Sequence, residues 1–368
     1  MKNFASSLLL IILLSNISLS QDSTKNVSFV AVPTPSFNEI QGFGLAVAGG
    51  LIYSLSPKDK TAKPSSTFLY GFYSANQTWI FALLQEAYFH QNDYWFDGMA
   101  VVSNFKFQYY QPFTNPDLGG INVAYDTDIR IYNLNFLRRI FGPLYAGIRT
   151  KQSFFNTTFE PFDFGTGPAS IDSLDNPNAS IDAHYSGIGF KLALDTRDNS
   201  LNPKSGISAD FQTTFFNESI GSDRDFQIME MSFNHYWNFS HGHVLASRFY
   251  SYIGVNDVPF EEQSLLGFSG PKGKDVRGYS SGHYRGNQLY DVQAEWRWNF
   301  YRRWGSVLFG ALALSGNDSE ELKRNGVLPA IGTGIRFNAA PSRNVNIGLD
   351  FAVGKNDYGI YFALSEAF

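Results

Sequence analysis

The sequence contains no cysteine, so it cannot form disulfides, cysteine-ligated metal sites, a thiol nucleophile or the acylated cysteine of a lipoprotein. Charge is also scarce, since only 17% of the 368 residues are charged and the 28 basic residues are outnumbered by 33 acidic ones. Binding a phosphate backbone requires an excess of positive charge. A nucleic-acid partner is therefore not expected.

Long apolar runs are missing except near the start of the chain. Lys2 precedes an apolar stretch, Phe4–Leu14, and a small-x-small cleavage site ends at Ser20, which predicts a secretory signal peptide over residues 1–20. Ser15 and Asn16 interrupt the stretch before it reaches the roughly 18 apolar residues that a membrane-spanning helix needs. Because no such run follows, the exported chain is expected to be either a soluble protein or a barrel.

Aromatic residues and glycine are abundant, with 35 Phe, 20 Tyr and 33 Gly against 4 Met. Aromatic side chains suit a pleated sheet and glycine suits turns, which favours an all-β fold. The clearest strand, residues 287–300, alternates with period two. Its apolar face is Tyr290, Val292, Ala294, Trp296, Trp298 and Phe300, and its polar face is Asp291, Gln293, Glu295, Arg297 and Asn299. Glu295 is predicted to face a lumen, and Trp296 and Trp298 to face lipid.

Strand length distinguishes a membrane barrel from a soluble sandwich. The alternating segments run for about ten residues, whereas sandwich strands usually have about five or six. Between Gly42 and Phe368 there are 15 or 16 candidate strands, and bacterial barrels have an even number. The sequence therefore predicts an all-β fold, a transmembrane antiparallel β-barrel of about 16 strands over residues 42–368. A short periplasmic segment, residues 21–41, is expected to precede it.

The connections predict which end of the barrel faces which compartment. Short turns at residues 240–243, 301–305 and 339–343 fit the periplasmic side. Longer polar loops fit the outer side, namely Ser56–Ser66, Asp163–Asp182, Gly254–Arg285 and Asn317–Gly326. Between Trp95 and Asp128 the strand boundaries stay open, because Asn104–Phe107 is compatible with a turn or with the middle of a strand.

Two segments go beyond the general barrel pattern. The first, at an expected periplasmic turn, consists of Asp195, Arg197, Asp198, Pro203 and Gly206. The second, in the longest loop, consists of Val276, Arg277, Gly278 and Tyr279. In this order they resemble the BamA/TamA surface-antigen superfamily of outer-membrane assembly factors, whose penultimate long loop carries a Val-Arg-Gly-Phe/Tyr motif. Further similarity to that family's closing strands lies in Gly332, Gly334, Arg336 and the C-terminal strand signal Phe368.

The resemblance implies that this loop folds back into the barrel and carries Arg277 into the lumen. A guanidinium there is costly unless a carboxylate meets it, and Glu295 and Asp350 are both predicted to face inward. Either acid is a candidate partner. The family generally places the acid on the strand after the loop-bearing hairpin, but residues 306–316 contain none. The alternative is a solvent-exposed loop arginine.

The sequence offers no evident enzyme chemistry. His241 and His243 are the only two histidines close in sequence, and they lack a nearby third metal ligand. No Gly-x-Ser-x-Gly nucleophile motif is present. We therefore expect no catalytic residue, no metal and no cofactor.

The resemblance also implies a location and a role. It implies the outer membrane of a double-membrane bacterium, contact with outer-membrane lipids, and insertion, assembly or translocation of outer-membrane proteins. Client barrels or other assembly proteins are then the expected partners. Relatives usually carry periplasmic polypeptide-transport-associated domains, for which residues 21–41 leave no room, so a short barrel-only member is expected. The alternatives are a passive pore and a structural subunit of an outer-membrane complex.

Overall fold

Sixteen strands of the chain form one closed antiparallel barrel. The computed structural model describes residues 27–38, 42–55, 63–112, 120–159, 180–200, 202–267, 276–280, 283–341, 344–364 and 366–368. The predicted signal peptide, residues 1–20, lies outside the described residues. The predicted fold class, a transmembrane antiparallel β-barrel of about 16 strands, is confirmed.

The barrel strands follow one another around the wall in chain order. They are β1 (Val27–Asn38), β2 (Gly42–Tyr53), β3 (Ser65–Ser74), β4 (Trp79–Phe89), β5 (Tyr94–Pro112), β6 (Gly120–Phe141), β7 (Leu144–Phe159), β8 (Ser180–Asp195), β9 (Gly206–Phe216), β10 (Phe226–Ser240), β11 (His243–Val255), β14 (Gln288–Tyr301), β15 (Trp304–Gly316), β16 (Leu328–Ala340), β17 (Val345–Gly354) and β18 (Asp357–Leu364). Two short strands, β12 (Ser264–Leu265) and β13 (Arg285–Gly286), pair with each other inside the long loop between β11 and β14.

Among the described residues, helical structure lies in the connections. The helix α1 (Ser319–Asn325) follows β15, and Asp318 caps it by accepting hydrogen bonds from the backbone N–H groups of Glu320 and Glu321. Short 3-10 turns in the described part of the chain include Glu218–Ile220 and Phe260–Glu262. Within the described ranges, no helix has the length and apolar character needed to cross a membrane.

The alternation along each strand sets which side chains fill the lumen. On β14, Asp291, Glu295 and Arg297 are buried, whereas Val292 and Trp296 on the opposite face are exposed. Exposed apolar side chains dominate the outer face of the other strands in the same way. The outer surface is therefore apolar and the interior polar, which is the inverse of a soluble protein and the arrangement of a membrane barrel.

The barrel starts earlier than the sequence indicated, which corrects the predicted domain boundary. Residues 21–41 were expected to be a periplasmic segment, but Val27–Asn38 forms β1 and pairs with β2 along its whole length. Pro33 and Pro35 hide this strand, because a proline inside an apolar run argues against a strand in the middle of a sheet. Fifteen barrel strands begin at or after Gly42, and β1 brings the total to the predicted 16.

The structure also corrects the predicted side of one loop. Connections alternate between the two ends of the barrel, so the connection between β2 and β3 lies at the end that carries the short turns, here called the turn end, rather than at the opposite loop end. Lys63 in this connection lies 3.2 Å from the carboxylate of Asp195, and its N–H donates to Asn92 in the turn after β4. Residues 56–62 of the predicted outer loop Ser56–Ser66 lie outside the described residues, but the described ends of this connection lie at the turn end, which corrects the predicted outward side. Further along, Asn104–Phe107 lies in the middle of β5.

Candidate functional site

The loop between β11 and β14 enters the lumen and packs against β16, β17 and β18. Gly278 has a positive φ of 105°, and a Cβ built on it would lie 2.9 Å from the backbone carbon of Val353. Only glycine tolerates both the conformation and this approach. Its N–H donates to the hydroxyl of Tyr361 at 2.8 Å. The loop backbone is thereby held directly against the barrel wall.

Tyr279 holds the loop from the other side of Gly278. Its hydroxyl donates to the carbonyl oxygen of Pro329 at 2.7 Å and accepts from the N–H of Lys355 at 3.2 Å. Val276 and Tyr279 are almost completely buried, in one apolar cluster with Leu266. The motif side chains that flank Arg277 therefore anchor the loop by apolar burial and by bonds to wall backbone.

Arg277 reaches both acids that were considered as its partners. Its Nη2 lies 2.5 Å from Oε2 of Glu295, and its Nη1 donates to the carboxylate of Asp350. The guanidinium also lies over the ring of Phe309, 3.4 Å from the ring centroid. Arg277 is thus buried in the lumen, and β15, which lacks an acid, contributes an aromatic face instead.

Two further arginines extend this contact into a charge network. Arg297 donates from Nε to Glu295 at 2.7 Å, and Arg336 donates to Asp350, with its Nη2 at 3.2 Å. Each acid therefore lies between two guanidiniums. Buried carboxylates without such partners would be strongly destabilising, so every member of this network depends on the others.

Glycines in the wall provide the space for the network. A Cβ on Gly334 would lie 1.9 Å from the carboxylate of Asp350, and one on Gly348 would lie 2.7 Å from the guanidinium of Arg336. Gly334 and Arg336 were noted in the sequence for their resemblance to the family's closing strands. Gly348, which the sequence did not single out, lies opposite Arg336 in the register between β16 and β17.

The other predicted motif, from Asp195 to Gly206, forms the turn between β8 and β9. Arg197 donates to Asp195 at 2.9 Å, and Asp198 accepts from the N–H groups of Lys204 and Ser205. Gly206 has a positive φ of 104°. These contacts close the turn on itself. The structure does not bring these side chains to Arg277, but Arg297 of the network does donate to the carbonyl oxygen of Pro203 at 3.3 Å.

Phe368 lies in a different place from the one expected of a C-terminal strand signal. β18 ends at Leu364, and Phe368 is not part of that strand. Its carbonyl oxygen accepts from Nη2 of Arg297 at 2.9 Å, inside the lumen. The interpretation of Phe368 as the end of the closing strand is therefore corrected. The strand period does not predict this because the chain leaves the sheet before it reaches the aromatic residue.

The loop has a second anchor, which the sequence did not indicate. Lys151 forms an ion pair with Glu262, and Arg285 donates to the carbonyl oxygen of Phe260 at 2.7 Å and to the hydroxyl of Tyr125 at 2.5 Å. These residues border a lumenal cavity of about 440 Å³. Its charged lining residues come from both the wall and the loop, so the loop fills part of the lumen. Local spacing carries no signal for such contacts between distant segments.

The described residues do not include a metal site. No group of three or more His, Cys, Asp or Glu side chains comes together there. His243 instead accepts a hydrogen bond from the indole N–H of Trp296 at 3.3 Å, on the outer surface near the turn end. The site around Arg277 is therefore built to hold a loop by charge and packing.

A family model, the Omp85 superfamily domain, matches residues 103–368, which is more than half of the chain. The chain belongs to the Omp85 superfamily. This match covers the strands from β6 onward and both motifs, and it agrees with the resemblance that the motifs indicated. At the level of the superfamily it supports a role in outer-membrane protein assembly or translocation.

Solved structures share the Omp85 fold at low sequence identity. BamA from Haemophilus ducreyi lacking POTRA domains 1–3 has a TM-score of 0.57 and 13% identity, with 92% of this chain and 70% of that chain covered. CdiB from Acinetobacter baumannii has a TM-score of 0.58 and 12% identity, with 92% of this chain and 60% of that chain covered. CdiB from Escherichia coli has a TM-score of 0.60 and 13% identity, with 92% of this chain and 62% of that chain covered. No curated protein sequence matches significantly.

Proposed function

We propose that this Omp85 protein is a non-catalytic barrel in the outer membrane of a double-membrane bacterium. The barrel helps client barrel proteins to insert into that membrane or to cross it. The observation that carries the proposal is the seam between β1 and β18. β1 pairs with β2 at every position from Val27 to Asn38. Among the described residues, the register between β1 and β18 consists of Phe37 opposite Ile360. The barrel is therefore closed most weakly where its first and last strands meet.

The composition of β1 supports a weak seam. Pro33 and Pro35 have no N–H to donate, and because they are two residues apart both donors are missing from the same edge of the strand. An edge with unpaired acceptors and few donors is a template on which another strand can pair. A seam that opens would expose such an edge to lipid and to a client strand.

The filled lumen argues against a passive pore. The loop is held across the lumen at two places, by Arg277 against Glu295 and by Glu262 against Lys151. A pore needs a continuous aqueous path, whereas here both wall and loop charges are paired with each other. A structural subunit of an outer-membrane complex is the second candidate, since the same barrel would serve it without any opening of the seam.

Locking the seam is expected to stop client insertion. A disulfide between Phe37→Cys and Ile360→Cys would join the two strands at their shared register position. In lipid vesicles, the oxidised variant should insert an unfolded client barrel at least about ten-fold more slowly than the reduced one, because the seam can no longer separate. The measurement is the rate at which the client becomes folded and heat-modifiable.

The control is a disulfide at an ordinary strand pair. Leu69 and Leu83 lie opposite each other on β3 and β4 and are both exposed on the outer face. Leu69→Cys with Leu83→Cys should leave insertion unchanged on oxidation. Equal client insertion by the locked and unlocked seam would contradict the proposed function and leave the structural-subunit role.

The outer face of β6 predicts where the membrane lies. Its outward row contains two exposed arginines, Arg130 and Arg138, with the exposed apolar side chains of Tyr132, Leu134 and Phe136 between them. Eight residues span roughly 27 Å along a strand, which a tilt of about 40° reduces to roughly 21 Å, close to the apolar band of such barrels. Leu134 should therefore lie near the bilayer centre.

We expect Leu134→Arg to destabilise the folded barrel by about 2 to 4 kcal/mol in a bilayer, since a charge would enter the hydrocarbon. Asn133→Arg is the matched control, because Asn133 borders the lumenal cavity and its neighbours there include carboxylates. Asn133→Arg should lower the free energy of unfolding much less than Leu134→Arg does. Denaturant titration of the two reconstituted variants tests the pair, and equal costs would place this face away from lipid.

A further inference from the structure

The last three described residues, Glu366–Phe368, form a strap that runs from the end of β18 into the lumen. The Glu366 side chain is 2% exposed. It accepts from Nε of Arg336 at 2.8 Å and from Asn346 at 2.6 Å, and it lies 3.8 Å from Nε of Arg297. The main-chain oxygen of Phe368 accepts from Arg297, and the guanidinium lies 5.7 Å from the Phe368 ring centroid. Side-chain contacts rather than strand pairing thus hold the strap.

The arginines that hold the strap are the ones that hold the acids around Arg277. Arg297 joins Glu295 to Phe368, and Arg336 joins Asp350 to Glu366. Two chains of alternating charge therefore run from the loop arginine to the strap. We propose that the strap is a latch whose closure depends on the loop, so that withdrawing Arg277 from the lumen releases it.

The balance of charge gives the direction of this dependence. With Arg277 in place, three guanidiniums meet the three carboxylates of Glu295, Asp350 and Glu366. Without it, three carboxylates compete for two guanidiniums in a buried environment, where an unpaired charge is strongly unfavourable. Glu295 and Asp350 are fixed in the paired strands β14 and β17, but Glu366 follows the end of β18. The strap is therefore the element that moves.

The latch would also bear on the seam. β18 is short, pairs with β17 on one side and closes the barrel against β1 on the other. A closed strap ties the end of β18 to Arg336 on β16 and Arg297 on β14, which restricts the movement of β18 relative to that part of the wall. The latch itself requires no client protein. Only its use in opening the seam rests on the proposed function.

The absence of cysteine allows a direct test with one introduced thiol. Ala367→Cys places it in the middle of the strap, and the measurement is its rate of reaction with a bulky maleimide in the folded, detergent-solubilised barrel. Glu366→Gln should raise this rate by about ten-fold, the change expected from losing one charged hydrogen bond. Arg277→Gln, which does not contact the strap, should raise it by a similar factor.

Two controls complete the experiment. Arg302→Gln removes an exposed arginine in the turn after β14 and should leave the rate unchanged. Ser240→Cys, an exposed residue at the turn end, gives the rate of a freely accessible thiol. Folding of each variant is checked by heat-modifiable migration. If Ala367→Cys reacts as fast as Ser240→Cys in the otherwise unchanged barrel, the strap is not latched. If Glu366→Gln accelerates the reaction and Arg277→Gln does not, the loop does not control it. Either result leaves the client-insertion test unaffected.

Discussion

Replacing Arg277 with alanine is expected to lower the free energy of unfolding of the barrel by about 3 to 5 kcal/mol, because it leaves two buried carboxylates each with one guanidinium fewer. Glu295 and Asp350 are almost inaccessible to water, so solvent cannot replace the lost contacts. Thermal or denaturant unfolding of the detergent-solubilised barrel measures the loss. Limited proteolysis should also cut the loop between β11 and β14 sooner.

Double-mutant cycles determine which acid holds the loop. The structure places Arg277 against both, so the cycle with Glu295→Ala and the cycle with Asp350→Ala should each show coupling, with the double variant less damaging than the sum of its singles. Arg302→Ala, at an exposed turn, should change stability by no more than about 0.5 kcal/mol. Additive effects in both cycles would mean that Arg277 is solvated, the alternative that the sequence left open.

The directions of the strand side chains could be predicted from sequence because they follow a period of two. That period alone identifies Glu295 as inward-facing and Trp296 as outward-facing, and the structure has them so. Distances across the lumen do not follow from this period. The sequence could name Glu295 and Asp350 as candidates for Arg277, but the simultaneous contact with both depends on how β14 and β17 are placed around the closed wall.

Sequence rules for single strands did not predict the first strand of the barrel, where the wall closes. Pro33 and Pro35 argue against a strand, yet β1 is a strand that pairs with β2 along its length and meets β18 over a short described seam. The side of the connection between β2 and β3 was also predicted wrongly, because that prediction used the length and polarity of the loop. The side follows instead from the alternation of antiparallel strands around the wall.

The contacts that fill the lumen were the hardest feature to predict from the sequence. Lys151 and Glu262 are 111 residues apart, and Arg297 and Phe368 are 71 apart. Neither pair lies in a recognisable motif, and both depend on where an irregular segment comes to rest inside a closed wall. Signals for them would need information about pairs of positions, which a single sequence does not contain.

Gly334→Ala is expected to cost about 3 kcal/mol, near the upper end of the usual range for overpacking. Gly334 lies opposite Asp350 in the register between β16 and β17, and its added Cβ would be 1.9 Å from the Asp350 carboxylate and 2.8 Å from the carbonyl oxygen of Leu349. The carboxylate cannot turn aside without losing Arg277 or Arg336. Unfolding of the detergent-solubilised variant measures the cost, and proteolysis of the loop shows whether Arg277 has been displaced.

Gly310→Ala on β15 is the matched control for this substitution. Its Cβ would lie no closer than 3.6 Å to another group, an ordinary contact, so its stability should stay within about 1 kcal/mol of the unchanged barrel. A second comparison isolates the part of the cost that comes from the carboxylate. In an Asp350→Ala background only the approach to the carbonyl oxygen of Leu349 remains, so Gly334→Ala should cost clearly less there than in the original barrel. A full additional loss in that background would mean that Gly334 is required by the strand itself. The absence of any loss in the original barrel would show that the carboxylate is not held between Arg277 and Arg336.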